Sequence, residues 1–175
     1  MSTKPFHTLV LFAGLYSILA FAAAPVGSMA PDFTIKDQYD HPVQLSSLRG
    51  KPVLLIYGDR LGSDYMGAWA SAVRKSAVAD SVNVVRIANL RAVPGLMHSW
   101  VKRQFAKPDP QGKPNSPVLL DWEADLAKIY GFTEDLTNVY LVDEKGILRY
   151  TAFGKGTGEE TARLIDKILD LGKAQ

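Results

Sequence analysis

Apolar and polar residues alternate with two different periods along this chain, and the first half of the pattern predicts a hairpin followed by a buried strand. Residues 30–35 alternate as a strand does, 37–41 form a turn, and 42–45 resume the alternation. Residues 46–50 predict one helical turn that ends at a glycine. Residues 53–57 are continuously apolar, which is typical of a central strand buried on both faces of a parallel sheet.

Two helices with a strand between them are predicted next. After a tight loop at 58–62, apolar residues recur at helical spacing, and Ser63 or Asp64 is expected to be the N-cap of that helix. A strand is predicted at 82–88. A second helix should begin at Pro94 and run through Phe105. The expected buried stripe of the first helix is Met66, Trp69, Ala70, Val73 and Ala77, and that of the second is Leu96, Met97, Trp100, Val101 and Phe105.

The last third of the chain predicts a hairpin and a closing helix. Residues 107–117 contain four prolines and a glycine, so they form a surface loop rather than regular structure. The later elements are a strand at 118–120, a helix at 123–130 that Gly131 ends, a hairpin of 139–142 with 147–153, and a helix opened by a capping box at Thr157–Glu160. This order predicts a three-layer α/β domain with a central mixed sheet and an N-terminal hairpin.

The composition suits one domain, expected over residues 27–173, and excludes a nucleic-acid footprint. Among 175 residues, 20 are basic and 18 are acidic, and the two signs are mixed along the chain. Basic residues do gather in one stretch, where a solvated face is the expected role: Arg86, Arg91, Lys102, Arg103 and Lys107.

The first 22 residues have the three parts of a secretory signal peptide. Lys4 precedes an apolar run at 9–21, and Ala20-Phe21-Ala22 predicts cleavage before Ala23. We therefore expect a periplasmic or otherwise extracytoplasmic protein. An uncleaved leader could serve as an anchor, although the run is shorter than the roughly 20 residues that span a bilayer. Membrane contact is expected only through such a leader.

The chain contains no cysteine. Thiol chemistry requires a thiolate as the nucleophile, so thiol-disulfide exchange and thiol peroxidase activity are excluded. A lipoprotein anchor, which needs a cysteine, is excluded as well.

Several ordered motifs nevertheless resemble the redoxin branch of the thioredoxin-like superfamily, which holds peroxiredoxins and periplasmic thiol-disulfide oxidoreductases. They are Ala30-Pro-Asp-Phe33, Leu45-Ser-x-Leu48-x-Gly-Lys-Pro-Val-Leu-Leu55, Leu119-Leu-Asp121 with Ala127-x-x-Tyr-Gly131, and Tyr140-Leu-Val-Asp143-x-x-Gly146. The resemblance implies a thioredoxin-like fold. Within the branch, Gly58-Asp-Arg60, Ser63 and Ala92-Val-Pro-Gly95 look most similar to cysteine-less, YtfJ-type periplasmic proteins of undefined activity.

The chain departs from the family at every catalytic position. The redox Cys-x-x-Cys of the family would fall on Gly62-Ser63-Asp64-Tyr65. The position of the cis-proline of the oxidoreductases, or of the arginine of the peroxiredoxins, is Thr137. The altered loop Asp59, Arg60, Gly62, Ser63, Asp64 and Tyr65, with the facing Thr137 and Asn138, is therefore the candidate functional site.

The helix that begins near Ser63 would direct free amides at this site, where they could bind an anion. We expect Asp64 to cap those amides instead, and Arg60 to form a local ion pair with Asp59 or Asp64. Tyr65, Met66 and Trp69 could form an apolar docking lip, but Trp69 is expected in the core. No cofactor is expected.

Two other kinds of site are disfavoured by the sequence. A serine hydrolase would recruit Ser63 and His98, yet the Gly-x-Ser-x-Gly elbow is missing. A metal site would depend on His41 and His98, which are far apart in sequence and lack ligand spacing.

The sequence favours a non-catalytic module that binds an envelope protein or peptide. Two alternatives stay open: an enzyme with thiol-free chemistry at Asp59 or Asp64, and a structural envelope component.

Overall fold

A five-stranded mixed sheet forms the centre of the protein, in a computed structural model that describes residues 23–108 and 115–173. The expected leader, residues 1–22, lies outside the described residues. The strands are β1 (Thr34–Lys36), β2 (Pro42–Gln44), β3 (Val53–Gly58), β4 (Asn83–Asn89), β5 (Val118–Asp121), β6 (Thr137–Val142) and β7 (Leu148–Gly154). The helices are α1 (Ser63–Arg74), α2 (His98–Ala106), α3 (Asp125–Tyr130) and α4 (Gly158–Lys173).

The strand order is β5-β4-β3-β6-β7, with β1 and β2 as a separate antiparallel hairpin. Strands β3, β4 and β5 are parallel, whereas β6 and β7 are antiparallel to their neighbours. Gly58 pairs with Ala88 and Tyr57 pairs with Asn138. The end of β3, the end of β4 and the start of β6 therefore meet at one edge of the sheet.

All residues of β3 are buried, as predicted for the central strand, and their alternation divides the core into two layers. Leu54 and Ile56 face α1 and α4, where Trp69 is fully buried and donates its indole N–H to the Gly154 carbonyl over 3.3 Å. Leu55 and Tyr57 face the other layer, which α3 and the N-terminal hairpin region complete. The three-layer α/β prediction and the core position of Trp69 are confirmed.

Local signals fixed several element ends as predicted. Gly131 takes a φ of +77° and ends α3. The capping box of α4 forms: the Thr157 amide donates to Glu160 Oε2 at 2.8 Å, and the Glu160 amide approaches Thr157 Oγ1 at 3.4 Å.

The expected buried stripe of α2 is wrong for three of its five residues. A 3-10 turn at Gly95–Met97 leads into α2, and Leu96, Met97 and Trp100 are 100%, 44% and 50% exposed. Val101 and Phe105 instead pack against the cluster of Ala88, Leu90, Val118 and Leu120 at the sheet edge. The segment carries apolar residues on two faces, and only one face can contact the sheet.

No helix in the described part of the chain combines the length and the apolar character needed to cross a membrane.

Candidate functional site

The loop that connects β3 to α1 is held closed by the carboxylate of Asp59. Asp59 Oδ1 accepts a hydrogen bond from the Gly62 amide at 2.8 Å, and Oδ2 accepts one from the Asp135 amide at 3.0 Å. The first bond fixes the turn, and the second joins the loop to the segment that precedes β6. Both oxygens of Asp59 are thereby engaged by the backbone.

Helix α1 has no side-chain cap, so the expected capping by Ser63 or Asp64 is wrong. The N-cap residue is Gly62 in helical conformation, and Asp64 is an exposed residue of the first turn. The Ser63 hydroxyl donates to the Arg60 carbonyl at 2.9 Å. Neither side chain accepts a hydrogen bond from the helix.

The physical reason is that the loop carbonyls already satisfy the first amides of α1. The amides of Ser63, Asp64 and Tyr65 donate to the carbonyls of Asp59, Leu61 and Gly62 at 2.8, 3.2 and 3.1 Å. The chain turns helically before α1 formally begins, which leaves these amides nothing to offer an anion.

Thr137 and Asn138 close the opposite side of the loop. The fully buried Thr137 donates its hydroxyl hydrogen to the Gly62 carbonyl at 2.6 Å. Asn138 Nδ2 donates to the Thr133 carbonyl at 2.9 Å and the Leu136 carbonyl at 3.1 Å, and Asn138 Oδ1 accepts from the Thr133 amide at 2.9 Å. The side chains of Thr137 and Asn138 thus form hydrogen bonds with backbone atoms of the loop and of the segment before β6.

Gly62 occupies a position that has no space for a side chain. A Cβ built there would stand 2.7 Å from the carbonyl carbon of Leu136, well inside the closest approach that such atoms make. The Leu136 backbone is fixed by Asn138, so it cannot move away easily. The first position of the expected redox pair is filled by the protein's own main chain.

In the part of the chain that the structure describes, Arg60 does not form the expected ion pair with Asp59 or Asp64, and Tyr65 lies next to a lysine. Arg60 is exposed, and among the described residues it makes no ion pair with Asp59 or Asp64. Tyr65 is half-buried, and the Lys155 ammonium lies 5.5 Å from its ring centroid. The predicted local ion pair is therefore absent from the described residues.

An open groove of about 790 Å³ lies beside the closed loop, at the carboxyl ends of β3 and β4. Ligands commonly bind at such strand ends in α/β sheets. Its apolar lining comes from Leu61, Leu90, Val93, Val101, Phe105 and Phe132, and its charged residues are Asp59, Arg60, Arg91, Glu134 and Asp135. Asp59, Arg60 and Ser63 of the candidate set line this groove. Gly62, Asp64, Tyr65, Thr137 and Asn138 do not.

A buried polar pair behind the groove escaped sequence reasoning. The Tyr57 hydroxyl donates to Asp121 Oδ2 at 2.9 Å, and Asp121 also accepts from the amides of Asp125 and Leu126 at 3.0 and 3.1 Å. Burial, reinforced by the Asp121 charge, raises the pKa of Tyr57 far above its ordinary range. Phe132 packs on the Tyr57 ring with 5.1 Å between centroids. The sequence signals were an acidic residue that ends an apolar run and its place in the motif Leu119-Leu-Asp121.

His41 and His98 make local contacts. His98 stacks on Trp122 with 3.9 Å between ring centroids, and its Nε2 lies 3.2 Å from the Val93 carbonyl. His41 Nδ1 lies 3.4 Å from Asp37 Oδ2. Within 23–108 and 115–173, no three His, Asp or Glu side chains are grouped to hold a metal ion.

Comparison with known proteins identifies the family of this fold. Residues 26–151 match the model of the AhpC/TSA family. The chain belongs to the AhpC/TSA family. This finding confirms the resemblance to the redoxin branch. No curated protein matches the sequence.

Solved structures similar to this AhpC/TSA family member include both oxidoreductases and peroxidases. A candidate protein disulfide isomerase from Bacteroides thetaiotaomicron is 26% identical with a TM-score of 0.59, over 84% of this chain and 89% of that one. The exposed lipoprotein thioredoxin of Streptococcus pneumoniae is 18% identical with a TM-score of 0.57, over 80% and 99%. The reduced 2-Cys peroxiredoxin of Plasmodium vivax is 21% identical with a TM-score of 0.58, over 85% and 98%.

The comparisons establish a thioredoxin-like fold, and the sequence supplies no cysteine to it. In this AhpC/TSA family member the backbone of Leu136 fills the space beside Gly62, the expected first redox position. The open space lies on the other side of the loop, toward β4 and α2.

Proposed function

We propose that this chain is a non-catalytic binding module of the cell envelope that takes an extended peptide segment of another protein into the groove beside the closed redox position. The observation that carries the proposal is the contrast at the Asp59 loop. On one side Gly62 has no space for a side chain, and on the other side a groove of about 790 Å³ stays open.

The chemistry of the groove supports a peptide as its ligand. Apolar side chains such as Phe105 and Phe132 can bury the side chains of an extended segment. Arg60 and Arg91 offer donors for backbone carbonyls or carboxylates, while Glu134 can accept from amides or cations. Both charge signs at the rim suit a peptide better than a uniformly charged small ligand.

The closed loop also argues against the enzymatic alternative at Asp59. Both oxygens of Asp59 accept backbone hydrogen bonds, which tie the carboxylate to the Gly62 and Asp135 amides and give it a structural role in the loop. Asp64 is exposed and lies outside the lining of the groove. Asp59 therefore shapes the groove wall in this proposal rather than transferring protons.

An envelope location rests on the leader-like pattern of residues 1–22. One structural neighbour is described as an exposed lipoprotein, and this chain, having no cysteine, would reach the same side of a membrane by secretion alone. N-terminal sequencing of the protein recovered from the envelope fraction should begin at Ala23. Recovery only from the cytoplasm would contradict the envelope location.

Two assays separate binding from catalysis. Insulin reduction and peroxide consumption by the purified protein should not exceed the buffer rates, and clear turnover in either would refute the non-catalytic role. Panning a displayed random peptide library against the immobilised protein should enrich peptides that share a motif with apolar residues. A library that yields no enriched sequence after repeated rounds would contradict peptide binding.

A further inference from the structure

An exposed stripe of apolar and basic side chains runs along α2 on the side away from the sheet. Trp100 and Arg103 lie three positions apart on one side of α2. Leu96, in the 3-10 turn before α2, and Lys107, the residue after it, continue this spacing at either end. Leu96 is 100% exposed and Trp100 is 50% exposed, and Arg103 and Lys107 are exposed as well. We call these four residues the α2 stripe. Its apolar end is extended by Met97, which is 44% exposed.

The chain around the stripe is strongly basic. Residues 81–108 contain no Asp or Glu, and they contain the five basic residues noted from the sequence. Lys102 pairs with Asp40, and Arg86 donates to the Ser116 carbonyl at 3.2 Å. Arg103 and Lys107, by contrast, have no acidic partner within the described ranges. Their charges are directed outward.

The helix that presents the stripe is held in place at both ends. At its start, His98 stacks on Trp122. At its end, Asn115 Nδ2 donates to the carbonyl of Lys107 at 2.6 Å and approaches that of Phe105 at 3.4 Å. Val101 and Phe105 pack against the sheet edge. The stripe is therefore a fixed feature of the surface, and exposure of its apolar end is imposed by the packing.

We propose that the α2 stripe docks the protein onto the surface of an anionic phospholipid bilayer. Leu96, Met97 and Trp100 would enter the interface between headgroups and acyl chains, and Arg103 and Lys107 would contact lipid phosphates. Amphipathic segments that lie on membranes combine aromatic and aliphatic side chains with Lys and Arg in this way. This contact is peripheral, and it adds a membrane surface to the leader-only contact expected from the sequence.

Two features favour a bilayer over a protein as the occupant. A side chain that is 100% exposed, as Leu96 is, projects from a convex point, where a protein partner would need a matching pocket but a lipid interface does not. The order of the side chains, apolar at one end and basic at the other, complements an anionic headgroup layer above acyl chains. Because Val101 and Phe105 line the groove from the other side of α2, the stripe and the groove can be occupied together.

The test is vesicle binding by the chain that starts at Ala23, so that the apolar run at 9–21 cannot insert. All three core clusters consist of residues after Ala23, so this form retains the fold. Vesicles of phosphatidylcholine alone are compared with vesicles that also contain phosphatidylglycerol, at low and high salt. We expect binding to the anionic vesicles only, weakened by salt. The emission of Trp100 should shift to the blue, and Trp100→Phe should bind without that shift.

Variants identify the stripe as the surface responsible. Arg103→Glu and Lys107→Glu should each lower the partition constant at least about fivefold, since one basic side chain near an anionic surface contributes about that factor. Leu96→Ser should weaken binding as well. Lys167→Glu on α4 and Phe153→Ser on β7 alter exposed residues elsewhere and should leave binding unchanged. No binding to anionic vesicles, or equal losses in the stripe and control variants, would overturn the proposal. Stripe-dependent binding to an acidic protein without vesicle binding would overturn it too.

Discussion

The hydroxyl of Thr137 donates to the carbonyl oxygen of Gly62 over 2.6 Å and joins the start of β6 to the residue before α1. These are the two positions at which the sequence motifs predict the first redox cysteine and the facing residue of the family. In this protein the side-chain hydroxyl of Thr137 is hydrogen-bonded directly to the main-chain oxygen of Gly62. This hydrogen bond closes one side of the loop, and the adjoining groove is the accessible feature.

Restoring a cysteine at the first redox position should destabilise the protein without restoring activity. Gly62→Cys places a Cβ against the Leu136 backbone, and overpacking of this kind typically costs about 1 to 3 kcal/mol. Gly67→Cys is the matched control, because nothing lies within 4 Å of a Cβ added there. Urea denaturation should show a lower midpoint for Gly62→Cys alone. A midpoint equal to that of the wild type would mean that the position is not closed.

Removing the hydroxyl of Thr137 should also destabilise the fold. Thr137→Val keeps the shape of the side chain but removes one of the two hydrogen bonds to the Gly62 carbonyl, the other being donated by the Tyr65 amide. The loss of one such hydrogen bond typically costs about 0.5 to 1.5 kcal/mol. Thr151→Val, at an exposed position of β7, should change the free energy of unfolding by less than about 0.5 kcal/mol. Equal losses of unfolding free energy in the two variants would argue against a stabilising Thr137–Gly62 hydrogen bond.

Stability should fall in acid through the carboxylate of Asp143. Burial opposes ionisation of Asp143, but hydrogen bonds from the Ile147 amide, the Arg149 guanidinium and the Lys145 amide lower its pKa below the ordinary 3.8. Because the folded pKa lies below the unfolded one, the contribution is complete above the unfolded pKa. It is lost as the pH falls through the folded pKa.

The measurement is the free energy of unfolding as a function of pH for wild type and Asp143→Asn. The variant should be less stable near neutral pH and should lose less stability than wild type below about pH 4. Asp166→Asn, at an exposed position of α4, serves as the control. Parallel pH profiles for wild type and Asp143→Asn would contradict this role.

The polar pair behind the groove gives a further prediction. Tyr57→Phe removes the one side chain among residues 23–108 and 115–173 that donates to Asp121, and it leaves the buried carboxylate with two backbone amides. We expect a loss of about 1 to 3 kcal/mol in the free energy of unfolding. Tyr39→Phe removes a longer hydrogen bond, 3.2 Å to the Asn115 carbonyl, and should cost less. The reverse order of the two losses would contradict a structural role for the Tyr57–Asp121 pair.

Much of the fold was predictable because its signals are local. The apolar run of β3, the stop at Gly131 and the capping box at Thr157 each depend on a few adjacent residues. The buried face of α2 was not predictable, because its apolar residues lie on two sides of the helix and only one side packs against the sheet edge. Hydrophobic periodicity alone does not show which side of a helix will pack against the sheet.

At the candidate loop, the roles of the carboxylates were predicted wrongly from the sequence. Asp64 occupies a position where a helix-capping residue is expected, yet it is the Asp59 carboxylate that accepts a hydrogen bond from the Gly62 amide. The reason is that the loop turns helically before α1 starts. The groove could not be predicted, since its walls come from segments that are more than 70 positions apart, such as Leu61 and Phe132.

Titrating a library-selected peptide against groove variants of the protein tests peptide binding in the groove most directly. Phe132→Ser removes an apolar wall and Arg60→Glu reverses a rim charge, whereas Lys167→Glu changes the same amount of charge on α4. We predict that both groove variants raise the Kd at least about tenfold, equivalent to about 1.4 kcal/mol, and that the control leaves it unchanged. A peptide that binds wild type, both groove variants and the control with the same Kd would contradict binding in the groove.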